Sequence, residues 1–298
     1  MKKLCSKTAS RCNAPEGSAV PSSKLPPPAM RTAIWLIFFA LPCWVHGQVF
    51  MRPIDHAAAL SLSGCAIAYP NPQIGLANDA IAGFGTKAGV FVGSAIPYSI
   101  GGWQTARVQG FIRTSANDGF GVDIAHSGIE AYTEQRFRFS YGRRLSTGLL
   151  LGGSADILRV SAQEYGSATG VTFNLSALAN PLPDVWIGAQ VQNPIQVEIA
   201  GAVVPTVLRI GAAWTASTTM TLLAETEKDL ERPAQLKVGF DYRPVAGVVL
   251  RTGLRTEPAR LSFGGGLRIA DGIEIDMGGE WHPTLGLTPA AMLIWRRE

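Results

Sequence analysis

The residues best able to do chemistry are few and lie far apart. After residue 47 the chain has three histidines, His56, His126 and His282, and a single cysteine, Cys65. Metal sites and thiol redox sites usually place their ligands at short spacings such as H-x-x-x-H or C-x-x-C, and neither pattern occurs. Residues 262–268 (SFGGGLR) are rich in glycine, but they do not open the helix that a phosphate cradle requires. We therefore predict no catalytic residues, no metal site and no cofactor, and the protein is not expected to be an enzyme.

One stretch rich in arginine and aromatic residues has the side chains needed to bind a nucleic acid. Residues 134–145 read EQRFRFSYGRRL, in which Arg136 and Arg138 alternate with Phe137 and Phe139. Arginine and aromatic side chains on one surface could bind and stack a single-stranded nucleic acid. Successive side chains of a β-strand point to opposite faces, however, so a strand here separates the arginines from the aromatics. The stretch therefore indicates a two-faced strand and not a nucleic-acid interface.

The first 47 residues resemble an export signal. An apolar core at residues 33–45 (AIWLIFFALPCWV) follows Arg31 and ends before small residues suited to signal cleavage after Gly47. Met30 is an alternative translation start. The whole chain has 26 Lys+Arg and 22 Asp+Glu, but residues 1–47 hold six of the bases and one acid, which leaves 20 and 21. The basic character thus belongs to the leader, and we predict no nucleic-acid partner for the exported chain.

Most of the exported chain alternates strictly between apolar and polar residues. In residues 235–243 (QLKVGFDYR), for example, the apolar side chains occupy every second position. Such segments, separated by turn sequences such as ANDG and ADG, number about fourteen: 85–97, 102–113, 119–128, 133–143, 147–160, 168–177, 183–194, 205–215, 219–228, 234–243, 247–256, 260–269, 272–282 and 287–296. Their length is near the 9–11 residues of transmembrane strands, whereas soluble sandwich strands average about five or six. We predict an all-β fold, an antiparallel transmembrane β-barrel spanning residues 85–298.

The polar faces of these strands carry charges of both signs. In a barrel they would face the lumen, where our candidates are Arg136, Arg138, Arg209, Lys237, Arg251, Arg255, Arg268, Asp123, Asp241, Glu274, Asp276 and Glu280. These groups could line a polar conduit and set its selectivity. Alternatively, they could form a network of salt bridges that fills and rigidifies the interior. The nearly equal numbers of the two signs favour the network, because selective channels tend to use rings of one sign.

Residues 48–84 do not alternate. They are rich in alanine and are interrupted by a Pro-Asn-Pro sequence at residues 70–72. The segment is long enough to form a short helix and a turn within a barrel mouth, so we predict a plug or hatch. A flexible periplasmic arm is the alternative.

Two sequence features, together with the expected number of strands, resemble features of a known superfamily. Residues 71–78 (NPQIGLAN) are similar to a stretch near the N-terminus of the FadL-like outer-membrane barrels, with Asn71, Pro72, Gly75 and Leu76 at matching positions. Residues 281–288 (WHPTLGLT) resemble a turn before the last strand of such proteins, and about fourteen strands are expected. The similarity is greatest to the PorV-type branch, which is associated with type IX secretion.

The resemblance implies two alternative functions in the outer membrane of a Gram-negative bacterium. The first is a PorV-like accessory barrel that binds outer-membrane lipid and a secretion translocon or secreted cargo. The second is a FadL-like passive or facilitated channel for a small hydrophobic molecule. An outer-membrane hydrolase is a weaker third alternative, because it would require serine and histidine side chains clustered at one rim.

Overall fold

The computed structural model describes residues 48–50, 56–71 and 74–297. The predicted signal peptide, the alternative start at Met30 and the candidate residue Pro72 lie outside the described residues. Within this part of the chain, no helix is both long and apolar enough to cross a lipid bilayer. A short helix α1 (Ala57–Ser61) and two 3₁₀ helices (Asp79–Gly83 and Pro97–Ser99) are present.

Sixteen strands follow one another along the described chain: β1 (Ala88–Ala95), β2 (Gln104–Arg113), β3 (Asp118–Ile129), β4 (Tyr132–Ser146), β5 (Leu149–Ala162), β6 (Gly166–Leu182), β7 (Val185–Gln192), β8 (Glu198–Ile199), β9 (Ala202–Val203), β10 (Val207–Ser217), β11 (Met220–Asp229), β12 (Gln235–Tyr242), β13 (Val248–Arg255), β14 (Arg260–Ala270), β15 (Ile273–His282) and β16 (Gly286–Arg297). Strands β8 and β9 form a small separate hairpin in the connection between β7 and β10.

The other fourteen strands close into one antiparallel barrel. Each pairs with its neighbours in chain order, and β1 pairs with β16 from Ala88↔Arg297 to Ala95↔Ala290, which closes the sheet. The predicted fourteen-stranded antiparallel barrel is confirmed. Closure gives every wall strand a partner on both sides, so the backbone groups that a membrane could not satisfy are hydrogen-bonded within the sheet.

The alternating sequence separates the two faces of the wall. On β4, Phe137 and Phe139 are 43% and 54% exposed on the outer face, whereas Arg138 between them is only 7% exposed. The same pattern of exposed apolar and buried polar residues recurs on β2, β11 and β13. The outer face thus presents an apolar surface to lipid, and the charged side chains point into the barrel.

The two rims of the barrel differ. We call the rim at which β1 begins and β16 ends the terminal rim, and the opposite one the far rim. Strands β4, β5 and β6 have 15, 14 and 17 residues, whereas β7, β12 and β13 have 8 each. Strand β6 pairs with β5 from Gly166 onwards but with β7 only from Asn174. Strand β6 therefore extends beyond β7 at the far rim.

The apolar outer face gives a direct test of the barrel architecture. Phe139→Arg places a cation at the lipid-facing surface and should destabilise the membrane-inserted barrel by about 2–4 kcal/mol. Phe139→Leu keeps the surface apolar and should fold normally. Heat-modifiable migration on a gel and urea unfolding in lipid vesicles measure both. Equal stability of the two variants would contradict a lipid-facing outer surface.

Candidate functional site

The segment before β1 lies inside the barrel. We call its described residues, 48–50, 56–71 and 74–84, the interior segment. Helix α1 packs against β13, β14, β15 and β16, while the 3₁₀ helix Asp79–Gly83 packs against β2 to β6 on the other side. Residues 57–60 and 80–82 are buried in one apolar cluster with inward-facing wall residues such as Leu150, Leu178 and Ile294. The segment therefore crosses the lumen from wall to wall.

A single buried carboxylate attaches the interior segment to four strands. The side chain of Asp79 is fully buried. It accepts hydrogen bonds from Ser140 Oγ (2.7 Å) and Ser154 Oγ (3.2 Å), and longer ones from Ser176 Oγ (3.5 Å) and Gln190 Nε2 (3.3 Å). These four donors come from β4, β5, β6 and β7. Four donors compensate the cost of burying a charge that has no direct ion-pair partner among the described residues.

Neighbouring polar contacts fix the backbone of the interior segment. Asn78 Nδ2 donates to the carbonyls of Ile67 and Ala177, both at 3.0 Å. On the other wall, the backbone nitrogens of Ala66 and Ile67 donate to Glu225 Oε2 at 3.0 and 3.1 Å. Because an irregular segment cannot pair its own backbone, side chains of the wall supply the missing partners.

Glycines in the wall allow the segment to approach closely. A Cβ atom at Gly152 would overlap the backbone nitrogen of Ala80, and one at Gly188 would overlap the carbonyl of Ile67. On the opposite side, a Cβ at Gly264 would overlap Ser61 Oγ, so the glycine-rich stretch on β14 makes room for α1. These wall positions need glycine because the interior segment lies directly against the sheet.

Burial controls the ionisable groups of the interior segment. Burial, together with the nearby guanidinium of Arg107, lowers the pKa of His56 to about 3, so its imidazole is neutral at pH 7. His56 stacks on Phe91 with a ring separation of 6.1 Å. Burial also raises the pKa of the Cys65 thiol and of Tyr69. All three side chains are therefore uncharged parts of the packing at neutral pH.

The charged groups of the lumen are paired with one another. Arg138 binds Asp156 through two hydrogen bonds of 2.7 and 2.8 Å, and Arg251 lies 2.9 Å from Asp241 and 3.1 Å from Asp276. The remaining pairs are Arg107 and Arg136 with Asp123, Arg209 and Lys237 with Glu225 and Glu227, Arg243 with Asp241, Arg255 and Arg260 with Glu280, and Arg268 and Arg296 with Glu274. Most of these pairs link neighbouring strands, so they brace the wall, and the eleven basic side chains share eight carboxylates.

Cavities remain on both sides of the interior segment. Towards the far rim, one of about 350 Å³ lies between Leu60, Ala95, Pro97 and Tyr98 on one side and charged residues of β13 to β15 on the other. A second of about 140 Å³ lies between the segment and β10 to β12. Towards the terminal rim, a cavity of about 270 Å³ lies beside Tyr69 and Asn71. An apolar cavity of about 150 Å³ can hold a benzene molecule, so two of these spaces have the volume for a small hydrocarbon, and their lining combines apolar with charged side chains.

Eleven of the twelve predicted lumen residues are buried or partly buried at the interior wall, whereas Arg268 is exposed near the terminal rim. All twelve charged candidates take part in the ion pairs above. Of the predicted plug residues, Asn71 and Leu76 are buried. Gly75 adopts a φ of +67° directly before Leu76, whose nitrogen donates to Gln109 Oε1 (2.8 Å). Sequence reasoning missed Asp79 and its serine partners Ser140, Ser154 and Ser176. The only signal for the serines is their place on the polar face of their strands.

The candidate histidines are dispersed in the fold. His56 is buried in the lumen, His126 lies on β3, and His282 ends β15, where its Nδ1 accepts from the backbone nitrogens of Thr284 and Leu285 (both 3.1 Å). In the part of the chain that the structure describes, no group of three or more His, Cys, Asp or Glu residues is arranged to hold a metal ion.

Several solved structures have a similar fold, and they include two toluene transporters. No protein-family profile and no curated protein sequence matches this chain. The toluene transporter TbuX of Ralstonia pickettii is 13% identical, with a TM-score of 0.67 over 84% of this chain and 100% of that chain. A FadL homologue of Pseudomonas aeruginosa is 11% identical, with a TM-score of 0.61 over 85% and 100%.

The toluene transporter TodX of Pseudomonas putida is 11% identical, with a TM-score of 0.59 over 83% and 98%. None of these structures points to the PorV-type branch. Identities this low establish the fold and no more. This chain is therefore a closed fourteen-stranded barrel with the fold of the FadL-like outer-membrane transporters.

Proposed function

We propose that this protein is a channel for small hydrophobic solutes in the outer membrane of a Gram-negative bacterium, and that its interior segment is the plug. The observation that carries the proposal is the interior segment itself, which is held across a closed barrel and leaves cavities on both of its sides. The apolar outer face requires a membrane, and only an outer membrane of this kind commonly holds such barrels.

The proposed orientation places the terminal rim in the periplasm. The connections at that rim are short, such as residues 147–148 between β4 and β5, and short turns are typical of the periplasmic side. The longest connection, residues 193–206, lies at the far rim and carries the β8–β9 hairpin. A solute would then meet the cavity at Leu60 and Tyr98 first and the cavity at Tyr69 last.

The lining favours uncharged solutes of low polarity. Leu60 of the interior segment lines the far-rim cavity and Ala59 and Ala66 line the cavity beside β10 to β12, whereas the charged side chains of the wall are held in ion pairs. A small ion would find no ring of one sign to replace its hydration shell. Two of the similar structures, TbuX and TodX, are toluene transporters, so toluene is the solute chosen for the test of this proposal.

The accessory role in protein secretion is the weaker of the two functions drawn from the sequence. It rests on the PorV-type resemblance, and none of the similar solved structures supports it. The pairing of the lumen charges also favours the structural network over a selective polar conduit. We infer that the twelve charged candidate residues hold the wall rigid while the plug provides the gate.

An uptake assay tests the proposed function. Cells of a Gram-negative host without hydrocarbon channels of its own would express the protein together with a cytoplasmic toluene-oxidising enzyme. Product formation at low toluene should be several-fold faster than in cells without the barrel, because the polar outer leaflet is the main obstacle to a hydrocarbon. Uptake of a labelled disaccharide should not change. Faster disaccharide uptake, or unchanged toluene oxidation, would contradict a hydrophobic channel.

The plug role has its own test at Asp79. Asp79→Ala leaves the hydroxyls of Ser140 and Ser154 without their shared acceptor, so the docked position of the plug should lose about 1–3 kcal/mol. We expect longer and more frequent openings in planar bilayers. Asp271→Ala removes an exposed turn carboxylate at the terminal rim and serves as the matched control. Identical recordings from the two variants would contradict a gating role for the Asp79 contact.

A further inference from the structure

The part of β6 nearest the far rim has an open edge, which means that no strand of the described chain pairs with it on one side. Residues 166–173 pair with β5 on one side, but pairing with β7 begins only at Asn174. The carbonyl of Phe173 accepts a hydrogen bond from the nitrogen of Asn193 on the β7 side (3.2 Å). Since the backbone groups of an antiparallel strand point alternately to its two neighbours, those of Ser167, Thr169 and Val171 point to the β7 side as well. Within the described residues, no backbone partner faces them there.

This edge lacks the usual protection against pairing. Natural edge strands carry lysine, proline or a bulge that prevents other chains from adding to them. Residues 166–173 read GSATGVTF and contain no charge and no proline. Ser167, Thr169 and Val171 are exposed, and Val171 is 61% exposed. A straight and accessible strand edge is the structure that an extended peptide uses to extend a sheet.

The lumen-facing side of residues 166–173 already packs against other residues of the chain. A Cβ atom at Gly170 would lie 2.8 Å from Ile199 Cγ1 and 3.0 Å from Val197 Cγ1. Ile199 belongs to an apolar cluster with Val49, Leu158, Val160 and Val204. The β8–β9 region therefore packs under the strand and holds it extended, while the plane of the sheet beside β6 stays open.

Two acidic residues lie near the open edge. Glu164 is exposed in the turn that leads into β6, and Glu198 is exposed on β8, which packs against β6. The nearby cation, Arg159, lies on the outer face of β5 and donates to Ser167 Oγ (3.3 Å). The charges at the rim thus complement a basic ligand.

A second copy of this chain does not fit the edge. Antiparallel pairing of two β6 edges would require a two-fold axis that turns one barrel upside down relative to the other. Two upright barrels related by rotation about the membrane normal would cross their edges at about twice the strand tilt, or roughly 70–90°. Strands at that angle cannot share a hydrogen-bond ladder, so a second upright barrel is excluded as the occupant of the edge.

We propose that residues 166–173 of β6 are a docking site for an extended, basic peptide segment of another protein, which adds to the sheet as a further strand at the far rim. The proposal does not depend on the channel function, since it uses only the part of β6 that extends beyond β7 at the far rim. Recognition would come from the backbone groups of Ser167, Thr169 and Val171, and preference for basic sequences from Glu164 and Glu198.

Hydrogen exchange of the full-length barrel in detergent tests the edge directly. The amides of Ser167, Thr169 and Val171 should exchange rapidly, whereas those of Ala168, Gly170 and Thr172, which face β5, should be protected. A synthetic KVKVKVKV peptide should slow exchange of the first group by about tenfold or more. Protection of that group without peptide would overturn the proposal, and so would protection that rises with barrel concentration alone.

Binding measurements with variants test the same site independently. Thr169→Pro removes one edge N–H without removing a bond to β5, and proline is tolerated at such positions. It should weaken binding of the labelled KVKVKVKV peptide by about tenfold, measured by fluorescence anisotropy, whereas Thr169→Val should bind normally. An EVEVEVEV peptide should bind the natural protein at least about tenfold more weakly. Equal binding by the proline and valine variants, or equal affinity for the two peptides, would refute the assignment.

Discussion

Pairing of the first barrel strand with the last is the constraint on which the rest of the structure depends. Once β1 and β16 close the sheet, every alternate side chain of fourteen strands must point into one enclosed space. Polar groups in such a space need partners, because each unsatisfied one costs free energy. The lumen meets this requirement largely in two ways: the wall charges pair with each other, and polar groups such as Gln109 and the serines around Asp79 bind the interior segment.

The interior segment is subject to the same constraint. It has little regular structure, so its own backbone cannot satisfy its donors and acceptors. Glu225 accepts from two of its amides, Gln109 accepts from another, and Asp79 in turn binds donors on four strands. These contacts couple the segment to the wall, and in the proposed channel they are the contacts that would have to break for a solute to pass.

Much of the wall could be predicted from the sequence, because period-two alternation is a local property. All fourteen predicted segments correspond to barrel strands, and the separation of Arg138 from Phe137 and Phe139 follows from that period alone. Some inward positions are apolar, however. Leu150 and Ile294 face the interior segment and not water, and their strands read as nearly continuous apolar runs, as expected for a strand covered on both faces.

Features that depend on register or on distant contacts could not be predicted. Asp79 and Gln190 are far apart in sequence, and nothing local indicates that they meet. Arg251 reaches Asp276 on β15 across the intervening β14. The open edge of β6 arises because β6 extends eight residues beyond the point where its pairing with β7 begins, and the end points of both strands depend on register. Identity of the solute likewise depends on a lumen shape that no short motif encodes.

The central claim is that solutes pass only when the interior segment moves, and a reversible tether tests it most directly. Ser63 of the interior segment donates to Ser262 of β14, with 2.9 Å between their oxygens, so cysteines at both positions should be close enough to form a disulfide. In a Cys65→Ala background, the oxidised Ser63→Cys/Ser262→Cys protein should block toluene uptake, and reductant should restore it. Equal uptake before and after reduction would show that the solute does not require movement of the segment, which would contradict the account.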